Sequence, residues 1–370
     1  MSQLHKLNPA DYQVAWIAPL EIEARAAWYM MDREHQGRFA LDRGDDYVYR
    51  AGSMCGLNVV IATLPAGQVY GTGSAAALAS QVKKFFQNLW FGLLVGVAAG
   101  LPNHSETPSP QDIRLGDVLV ALPTPDSAGL IGYDLGKETA DGFKLLKSGY
   151  ALANTEDVIR SAIGSLMFLA PEEAERFLPF YNAMKDKRHR KGTFNDPGQQ
   201  KDNFYKRDES GKEELLERAP RPDSERTQVW YGAIGSGEKL VKNAKIRDEL
   251  RDKFNIIGLE MEATGTMNTI RVGVIRGVCD YGDEHKNKEW QPYAAAMAAA
   301  YAKAVLAEMG HSSNTSDGAD PPPLVHEMPS TINPNQPNRN GKPGTSSSFV
   351  GRGIQNSGSG NASYGNITIG

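Results

Sequence analysis

The chain has 370 residues, and 40% of them are hydrophobic, which is enough for one large domain with an appendage or for two ordinary domains. Its 40 basic and 44 acidic residues leave a net charge of −4, so a dedicated nucleic-acid-binding protein, which usually carries a basic excess, is not expected. The N-terminus lacks a basic-then-apolar signal pattern, and no apolar run approaches the roughly 18 residues of a membrane span. Cys55 and Cys279 form no disulfide framework or metal-binding motif. We expect a cytoplasmic protein without a membrane anchor, metal or cofactor.

The first third of the chain alternates between strand and helix patterns. Apolar runs predict buried strands over residues 12–18, 57–63, 93–97 and 118–122. A Gly-rich turn at 71–74 precedes a helix pattern over 75–86. The strand runs are continuous in Val, Ile and Leu, which indicates a sheet that is covered on both faces.

The same alternation returns near the other end of the chain. Strands are predicted at 229–234 and 273–278, and helices at 244–254, 258–271 and 292–306. Pro292 stands at the start of the last helix, where a missing N–H is least unfavourable. Strands and helices that alternate in this way predict a three-layer α/β sandwich.

The two halves are separated by an insertion at about 138–228, and together they make a predicted domain over 1–310. The first part of the insertion is predicted to be helical because five apolar residues share one helix face: Val158, Ile159, Ala162, Ile163 and Leu166. The second part is irregular and contains a basic run at 185–191. Residues 311–348 are rich in Ser, Asn, Pro and Gly, which predicts a disordered linker.

Acidic residues stand at three places where predicted buried elements begin or end. Glu21 and Glu23 follow the first strand, Glu260 and Glu262 open the predicted helix at 258–271, and Asp280 follows the last strand. Carboxylates are unusual in such positions, and strand ends in α/β sheets are where ligands bind. Each acid taken singly also fits a structural role, as a helix-dipole partner, a solvent-facing residue or a turn cap.

The order of several short segments resembles a known superfamily. These segments are IAPLEIE, VGVAAGLP, IRLGDVLV, GAIGSGEKLV, LEMEATG and VIRGVCDYGD. They resemble the motifs of the purine nucleoside phosphorylase and methylthioadenosine/S-adenosylhomocysteine nucleosidase superfamily over about residues 12–308. The resemblance implies an α/β sandwich of the nucleoside phosphorylase type that cleaves a purine–ribose N-glycosidic bond.

The resemblance also implies roles for individual residues. Asp280 matches the acid that hydrogen-bonds purine N7 and protonates the departing base, and such general-acid help is typically worth 10²–10⁴-fold. Glu23 matches the carboxylate that activates the attacking water in the nucleosidases.

The substrate-binding residues follow in the same way. Glu262 matches the acid that binds the ribose 2′- and 3′-hydroxyls, with Met261 under the sugar and Glu260 in the same motif. Leu240 and Val241 stand where the superfamily frames the adenine ring. Leu240 replaces an aromatic residue that stacks on the base in relatives.

Departures from the superfamily pattern favour water over phosphate as the nucleophile. Phosphorolytic relatives hold phosphate with an Arg after the first strand, an Arg entering the VGVAAG segment and a Ser inside it. This chain has the LEIE segment, Leu94 and Val97 at those places. Phosphate needs charge-assisted donors, which these residues do not supply, and Glu21 and Glu23 would repel it.

The D-Y-G-D-E-H-K-N-K-x-W segment resembles the fungal branch of the superfamily, whose members serve as effector domains of innate-immune receptor-type proteins. Because some superfamily effectors cleave ATP, the resemblance implies ATP as substrate, with adenine and ribose 5′-triphosphate as products. Lys286, Lys288 and Arg188 are candidates for holding the 5′-phosphates, although basic runs are usually solvated loops. The resemblance also implies a homo-oligomer.

Three alternatives remain from the sequence. The first is a nucleosidase for methylthioadenosine or adenosine. The second is a catalytically silent nucleoside-binding signalling module. The third uses the GTGSA turn as a phosphate loop, but that turn lacks the Lys of the G-x-x-x-x-G-K-[ST] motif.

Residues 349–370 are rich in Gly and Asn with spaced apolar residues, and they resemble the short amyloid motifs that link fungal effectors to receptor proteins. The alternative is a plain disordered terminus.

Overall fold

The computed structural model describes residues 5–67, 70–104, 110–125, 127–134, 136–140, 142–145, 155–207 and 211–310, all of which belong to one compact unit over 1–314. The α-helices are α1 (Glu21–Tyr29), α2 (Thr72–Phe85), α3 (Asp157–Met167), α4 (Ala174–Met184), α5 (Ala244–Phe254), α6 (Ala263–Met267) and α7 (Gln291–Glu308). The strands up to the insertion are β1 (Lys6–Leu7), β2 (Val14–Ile17), β3 (Arg33–Glu34), β4 (Arg38–Phe39), β5 (Arg50–Met54), β6 (Leu57–Ala62), β7 (Phe91–Gly100), β8 (Val118–Ala121) and β9 (Leu130–Gly132). The later strands are β10 (Gly136–Thr139), β11 (Gly142–Leu145), β12 (Arg188–His189), β13 (Gly192–Thr193), β14 (Phe204–Arg207), β15 (Glu213–Leu216), β16 (Val229–Ser236), β17 (Ile256–Glu260) and β18 (Val272–Asp280).

Ten of the described strands form one central sheet, in the order β17-β16-β8-β18-β7-β2-β6-β5-β3, with β9 beside β16. The neighbours β18, β7, β2 and β6 run parallel, so their carboxyl ends reach the same edge of the sheet. The far strand β17 also pairs with the end of β7 through Gly258–Gly100 and Leu259–Ala99. That second pairing brings the end of β17 to the edge where β7 and β18 end.

The sheet and its helices confirm the predicted three-layer α/β sandwich, and all of the predicted strands are present. The residues of β2, β8 and β18 are buried throughout, as the continuous apolar runs predict. The predicted helix of the insertion is α3, and it buries Ile159, Ala162, Ile163 and Leu166.

One predicted helix, at 258–271, is wrong. Residues Ile256–Glu260 form strand β17, and the helix that follows is the short α6. The reason is the pairing of this segment with β16 and with the end of β7, which Gly258 permits because a Cβ atom there would overlap the Leu119 side chain and crowd the carbonyl oxygen of Ala99. Glu260 is therefore the last residue of a buried strand and does not open a helix. The predicted turn at 71–74 is also mostly helical, since α2 begins at Thr72.

Helix α7 lies in the interior of the molecule. Every residue from Tyr293 to Leu306 is buried, and it contacts β7, β8 and β18 as well as α1, α3 and α4. Apart from Lys303, whose ammonium donates to the carbonyl oxygen of Met30 and to Asp32, this buried stretch is apolar or aromatic on every side, which suits such a position. Helix α7 and strand β18 approach each other closely at Ala294 and Gly277. A Cβ atom at Gly277 would overlap the Ala294 carbonyl oxygen, so a larger residue would not fit there.

The insertion is attached to the sheet through the carboxylate of Asp117, which is fully buried at the start of β8. Arg221 of the insertion donates to Asp117 Oδ1 at 2.7 Å, and the Trp230 indole N–H donates to Oδ2 at 2.8 Å. The backbone N–H groups of Arg114 and Gln228 donate to the same carboxylate. These contacts fix where the insertion rejoins the core.

The predicted linker at 311–348 and the predicted motif at 349–370 lie outside the described residues. Among the helices that are described, none has the length and apolar character needed to cross a membrane.

Candidate active site

A cavity of about 930 Å³ opens at the sheet edge where β7, β17 and β18 end. Ten predicted site residues line it: Glu23, Val97, Leu240, Val241, Glu260, Met261, Glu262, Asp280, Lys286 and Lys288. Arg188 is not among the described residues that line the cavity, and its carbonyl oxygen instead accepts a hydrogen bond from the Tyr29 hydroxyl at 2.8 Å.

Glu23 enters the cavity from the first turn of α1. The backbone N–H of Leu20 donates to its Oε2 and the N–H of Val97 donates to its Oε1, both at 2.8 Å. Burial raises the pKa of Glu23, an effect that Arg276 and the two N–H donors partly offset. The residue before Val97 is Gly96 because a Cβ atom there would overlap the Glu23 carboxylate and the Arg276 guanidinium.

Arg276 is a site residue that the sequence analysis missed. It lies in β18 with no solvent exposure and forms ion pairs with Glu260 and with Glu262, the latter at 3.1 Å. Its Nη1 lies 4.0 Å from Glu23 Oε1. Within the described part of the chain, Nη1 and Nε of Arg276 have no hydrogen-bond partner. The available signal was an arginine inside the apolar run GVIRGVC.

Glu260 and Glu262 differ in what surrounds them. The Glu260 carboxylate accepts hydrogen bonds from the backbone N–H groups of Glu262 and Ala263, so it caps the start of α6 while it pairs with Arg276. Glu262 contacts Arg276 with one carboxylate oxygen and is the less engaged of the two acids. Burial raises the pKa of Glu262 to about 8, with Arg276 acting against that rise and Glu260 adding to it.

Asp280 is the last residue of β18 and has a fixed orientation. Its Oδ1 accepts a hydrogen bond from the N–H of Gly282 at 2.9 Å. Its Oδ2 accepts one from the Cys279 thiol at 3.1 Å and lies 2.9 Å from the Lys286 ammonium. Lys286 therefore contacts the predicted acid itself, a position that the sequence did not reveal.

The segment between β16 and α5 forms another wall of the cavity. Val241 is partly buried there, while Leu240 remains 41% exposed. Tyr133 lines the cavity beside them, and its hydroxyl donates to the carbonyl oxygen of Lys239 at 3.0 Å. Tyr133 gives this wall an aromatic ring that the sequence analysis did not identify.

The cavity is also lined by many basic side chains. Five of them form no ion pair with any residue that the structure describes: Arg190, Lys191, Lys239, Lys242 and Lys288. Arg190 and Lys191 form the turn of the β12–β13 hairpin, which comes from the insertion. The basic run at 185–191 thus reaches the cavity, although through residues next to Arg188.

The chain was compared with protein-family models, curated proteins and solved structures. No protein-family model matches the chain. The chain is 38% identical over 309 residues to a nucleotide-binding leucine-rich repeat (NLR)-like protein of Hyaloscypha variabilis, a match that covers 81% of this chain and 30% of that protein. The chain therefore spans less than a third of the length of this curated relative.

Solved structures share the fold. The futalosine hydrolase of Helicobacter pylori superposes with a TM-score of 0.52 at 13% identity, covering 80% of this chain and 97% of that one. A 5′-methylthioadenosine/S-adenosylhomocysteine nucleosidase from Neisseria meningitidis, in complex with methylthio-immucillin-A, superposes with a TM-score of 0.51 at 18% identity, covering 80% of this chain and 99% of that one. The chain has the nucleoside phosphorylase type of fold that these nucleosidases have.

Proposed function

We propose that this protein is a purine nucleosidase that hydrolyses an N-glycosidic bond. The observation that carries the proposal is that Glu23, Glu262 and Asp280, three buried carboxyl groups, line one cavity with Arg276 between the first two. A fold neighbour that is named a nucleosidase and holds a methylthio-immucillin supports the same reaction class. A silent binding module would have no need of both a base and an acid in such a cavity.

In this proposal Asp280 protonates the departing base. As the bond from C1′ to the purine breaks, the ring nitrogens gain electron density and the sugar becomes oxocarbenium-like. A protonated Asp280 transfers its proton to N7, so the purine leaves as a neutral molecule. Oδ1 accepts the N–H of Gly282, so we assign the proton to Oδ2, which contacts the Cys279 thiol and the Lys286 ammonium in the ligand-free site.

In this proposal Glu23 activates the attacking water, with Arg276 beside it. Glu23 Oε1 and Arg276 Nη1 are 4.0 Å apart, and Nη1 and Nε have no partner among the described residues. Glu23 lines the cavity, so a water molecule there would donate a hydrogen bond to Glu23, while the charge of the fully buried Arg276 favours the ionised form of Glu23. Glu23 then takes the proton of the water as its oxygen bonds to C1′.

The contacts of Val97 favour water over phosphate as the nucleophile. Val97 has no side-chain donor, and its backbone N–H is already bound to Glu23. Leu94 is fully buried and apolar. Among the described residues, Arg276 is the cation that pairs with Glu23, and it also pairs with Glu260 and Glu262, so little of its charge is available to a phosphate dianion.

For the substrate we propose an adenine nucleotide, ATP in the first place, which would give adenine and ribose 5′-triphosphate. The support is the set of basic residues without ion pairs around the cavity, since several phosphate charges need clustered Lys or Arg. In this proposal Arg190 and Lys191 take the place predicted for Arg188, together with Lys288. Adenine would lie against Leu240, Val241 and Tyr133, and the ribose hydroxyls against Glu262 with Met261 beneath the sugar.

For the biological role we propose an effector in immune or cell-death signalling. The NLR-like name of the relative from Hyaloscypha variabilis supports this role. In that setting the catalytic chain would act as a homo-oligomer, and residues 349–370 would pair it with a receptor-type protein.

The experiment is product chromatography after incubation of the purified protein with ATP, AMP, adenosine and methylthioadenosine, with and without phosphate. We expect free adenine from ATP at a rate that does not depend on phosphate. A strong preference for methylthioadenosine would reject the nucleotide as substrate but keep the nucleosidase. Release of no base from any of the four compounds would reject the nucleosidase.

A further inference from the structure

The Lys286 ammonium contacts Oδ2 of Asp280, the oxygen that has to carry the proton in the proposed reaction. Lys286 Nζ lies 2.9 Å from Oδ2, while Oδ1 accepts the N–H of Gly282. The side chains of Lys286 and Asp280 are 18% and 2% exposed, so little water screens this ion pair. An ammonium at that distance stabilises the ionised carboxylate, and an ionised carboxylate cannot protonate a leaving base. The ligand-free site therefore has an ammonium ion pair at the oxygen that has to deliver the proton.

Among the described residues, Lys286 is the cation paired with Asp280, and the nearby Arg247 is paired with Asp283 at 3.5 Å instead. The Cys279 thiol donates to Oδ2, and Glu23, Asp283 and Tyr70 are the further titratable groups that face Asp280, Cys279 or Lys286. None of these four carries a positive charge. If Lys286 moved away, an ionised Asp280 would lose its nearest counterion in a buried position, and uptake of a proton would become favourable.

We propose that Lys286 is a positioning residue that leaves Asp280 for the 5′-phosphates of the bound nucleotide, which lets Asp280 take up the proton that it delivers to the purine. This inference rests on the proposed nucleotide hydrolysis. Lys286 is suited to the exchange because its charge sits on a flexible four-carbon stem. Lys288 on the same loop, with Arg190 and Lys191 opposite, would draw the phosphates to that side of the cavity.

The proton balance closes without a further reactant. A solvent proton binds Oδ2 of Asp280 and then moves to purine N7 as the bond between C1′ and N9 breaks. Water gives its oxygen to C1′ and a proton to Glu23, which returns that proton to solvent. The phosphates thus raise the rate of the chemical step in addition to binding, whereas a neutral nucleoside leaves the ion pair intact.

The test measures adenosine hydrolysis with and without inorganic tripolyphosphate, which supplies the anion as a separate piece. With the wild-type protein we expect tripolyphosphate to raise kcat for adenosine by at least about tenfold, a part of the 10²–10⁴-fold that a general acid provides. Lys286→Met should hydrolyse adenosine faster than the wild type does without the anion, and tripolyphosphate should not raise that rate. The ratio of kcat for ATP to kcat for adenosine should fall towards one in Lys286→Met, and Lys286→Arg should restore the response to the anion.

Lys245→Met is the matched control, because Lys245 is exposed on α5, pairs with Glu249 and lies outside the cavity. It should respond to tripolyphosphate as the wild type does. If tripolyphosphate leaves wild-type turnover unchanged and Lys286→Met raises only KM for ATP, Lys286 is a simple phosphate ligand and the exchange is wrong. If Lys286→Met lowers adenosine and ATP turnover equally, the residue is structural. A wild-type protein that releases no purine from either compound would refute the proposed function itself.

Discussion

Arg276 is a buried cation that contacts three of the acidic side chains in this region. Its guanidinium lies among three carboxyl groups, those of Glu23, Glu260 and Glu262, and all four side chains are almost fully buried. Removing one member of a buried ion pair typically costs about 3–5 kcal/mol, because the partner is left uncompensated. Replacing Arg276 should therefore destabilise the fold as well as impair any reaction in the cavity.

The acidic residues of the site could be predicted from the sequence, but the difference between Glu260 and Glu262 could not. Glu23, Glu262 and Asp280 were identified from their motifs, and the structure brings all three to one cavity. Glu260 and Glu262 look alike in the sequence, but the backbone N–H groups at the start of α6 are bound by Glu260. The contact between Lys286 and Asp280 depends on the path of a loop, which residue patterns do not specify.

Asp280→Asn should remove most of the turnover. The amide keeps the size of the side chain and cannot donate a carboxylic proton to N7, so kcat should fall by about 10²–10⁴-fold. Steady-state adenine release measures the effect, and an unchanged thermal unfolding midpoint is the control for folding. A variant that keeps more than about a tenth of the wild-type rate would contradict the role of Asp280.

The pH dependence should report Glu23. Burial raises its pKa, and Glu23 must be ionised to accept the proton of water, so activity should fall as the pH decreases. That loss should begin above the ordinary glutamate pKa of about 4.3. The measurement is kcat at saturating ATP from about pH 4 to about pH 9 at constant ionic strength, because bound phosphates are proposed to release Asp280 from Lys286, whereas with adenosine a falling pH would also protonate Asp280. A value of kcat that stays constant down to the ordinary glutamate pKa would show that Glu23 is not the base.

At the level of secondary structure, continuous apolar runs predicted the strands of the central sheet well. The failure at 258–271 has a specific cause. An Ile-Ile-Gly-Leu run suits either a buried strand or the start of a buried helix, and the pairing of β17 with β7 decides between them. That pairing joins residues about 160 positions apart in the sequence, so local patterns carry no information on it.

The close approach of β18 and α7 gives a prediction on stability. Gly277→Ala should destabilise the fold by about 1–3 kcal/mol, because the new methyl group overlaps the backbone of α7 at Ala294. Denaturant unfolding measures the change. Gly164→Ala on exposed α3 is the matched control, since a Cβ atom there has no neighbour within 4 Å, and it should stabilise by about 0.5–1 kcal/mol. Equal stability of Gly277→Ala and wild type would contradict the packing.

Over the whole molecule, the insertion adds a basic hairpin to the edge of a nucleosidase-type sandwich. The sequence showed that the run at 185–191 is basic but not which members face the cavity. Arg188 lies within strand β12, whereas Arg190 and Lys191 form the turn of the hairpin, and the turn reaches the cavity.

The tail prediction concerns residues outside the described part of the chain. Deleting 346–370 should leave catalysis unchanged and abolish fibre formation or receptor pairing, because the motif at 349–370 is predicted to act separately from the enzyme. Fibre diffraction of the isolated peptide measures the first property, with a spacing near 4.7–4.8 Å expected for cross-β. A peptide that never forms such fibres would contradict the amyloid motif and favour a plain disordered terminus.

In the proposed reaction, water attacks C1′ in the cavity that Glu23, Glu262 and Asp280 line. The most direct measurement is mass spectrometry of the products of ATP in ¹⁸O-labelled water, with phosphate present and with Asp280→Asn as the control. We expect unmodified adenine and a ribose 5′-triphosphate with one ¹⁸O at C1′, and neither product from the variant. Because free ribose exchanges its C1′ oxygen slowly with water, the sugar should be reduced at once to fix the label. A ribose product that carries phosphate at C1′, or an intact glycosidic bond in the wild-type reaction, would contradict the claim.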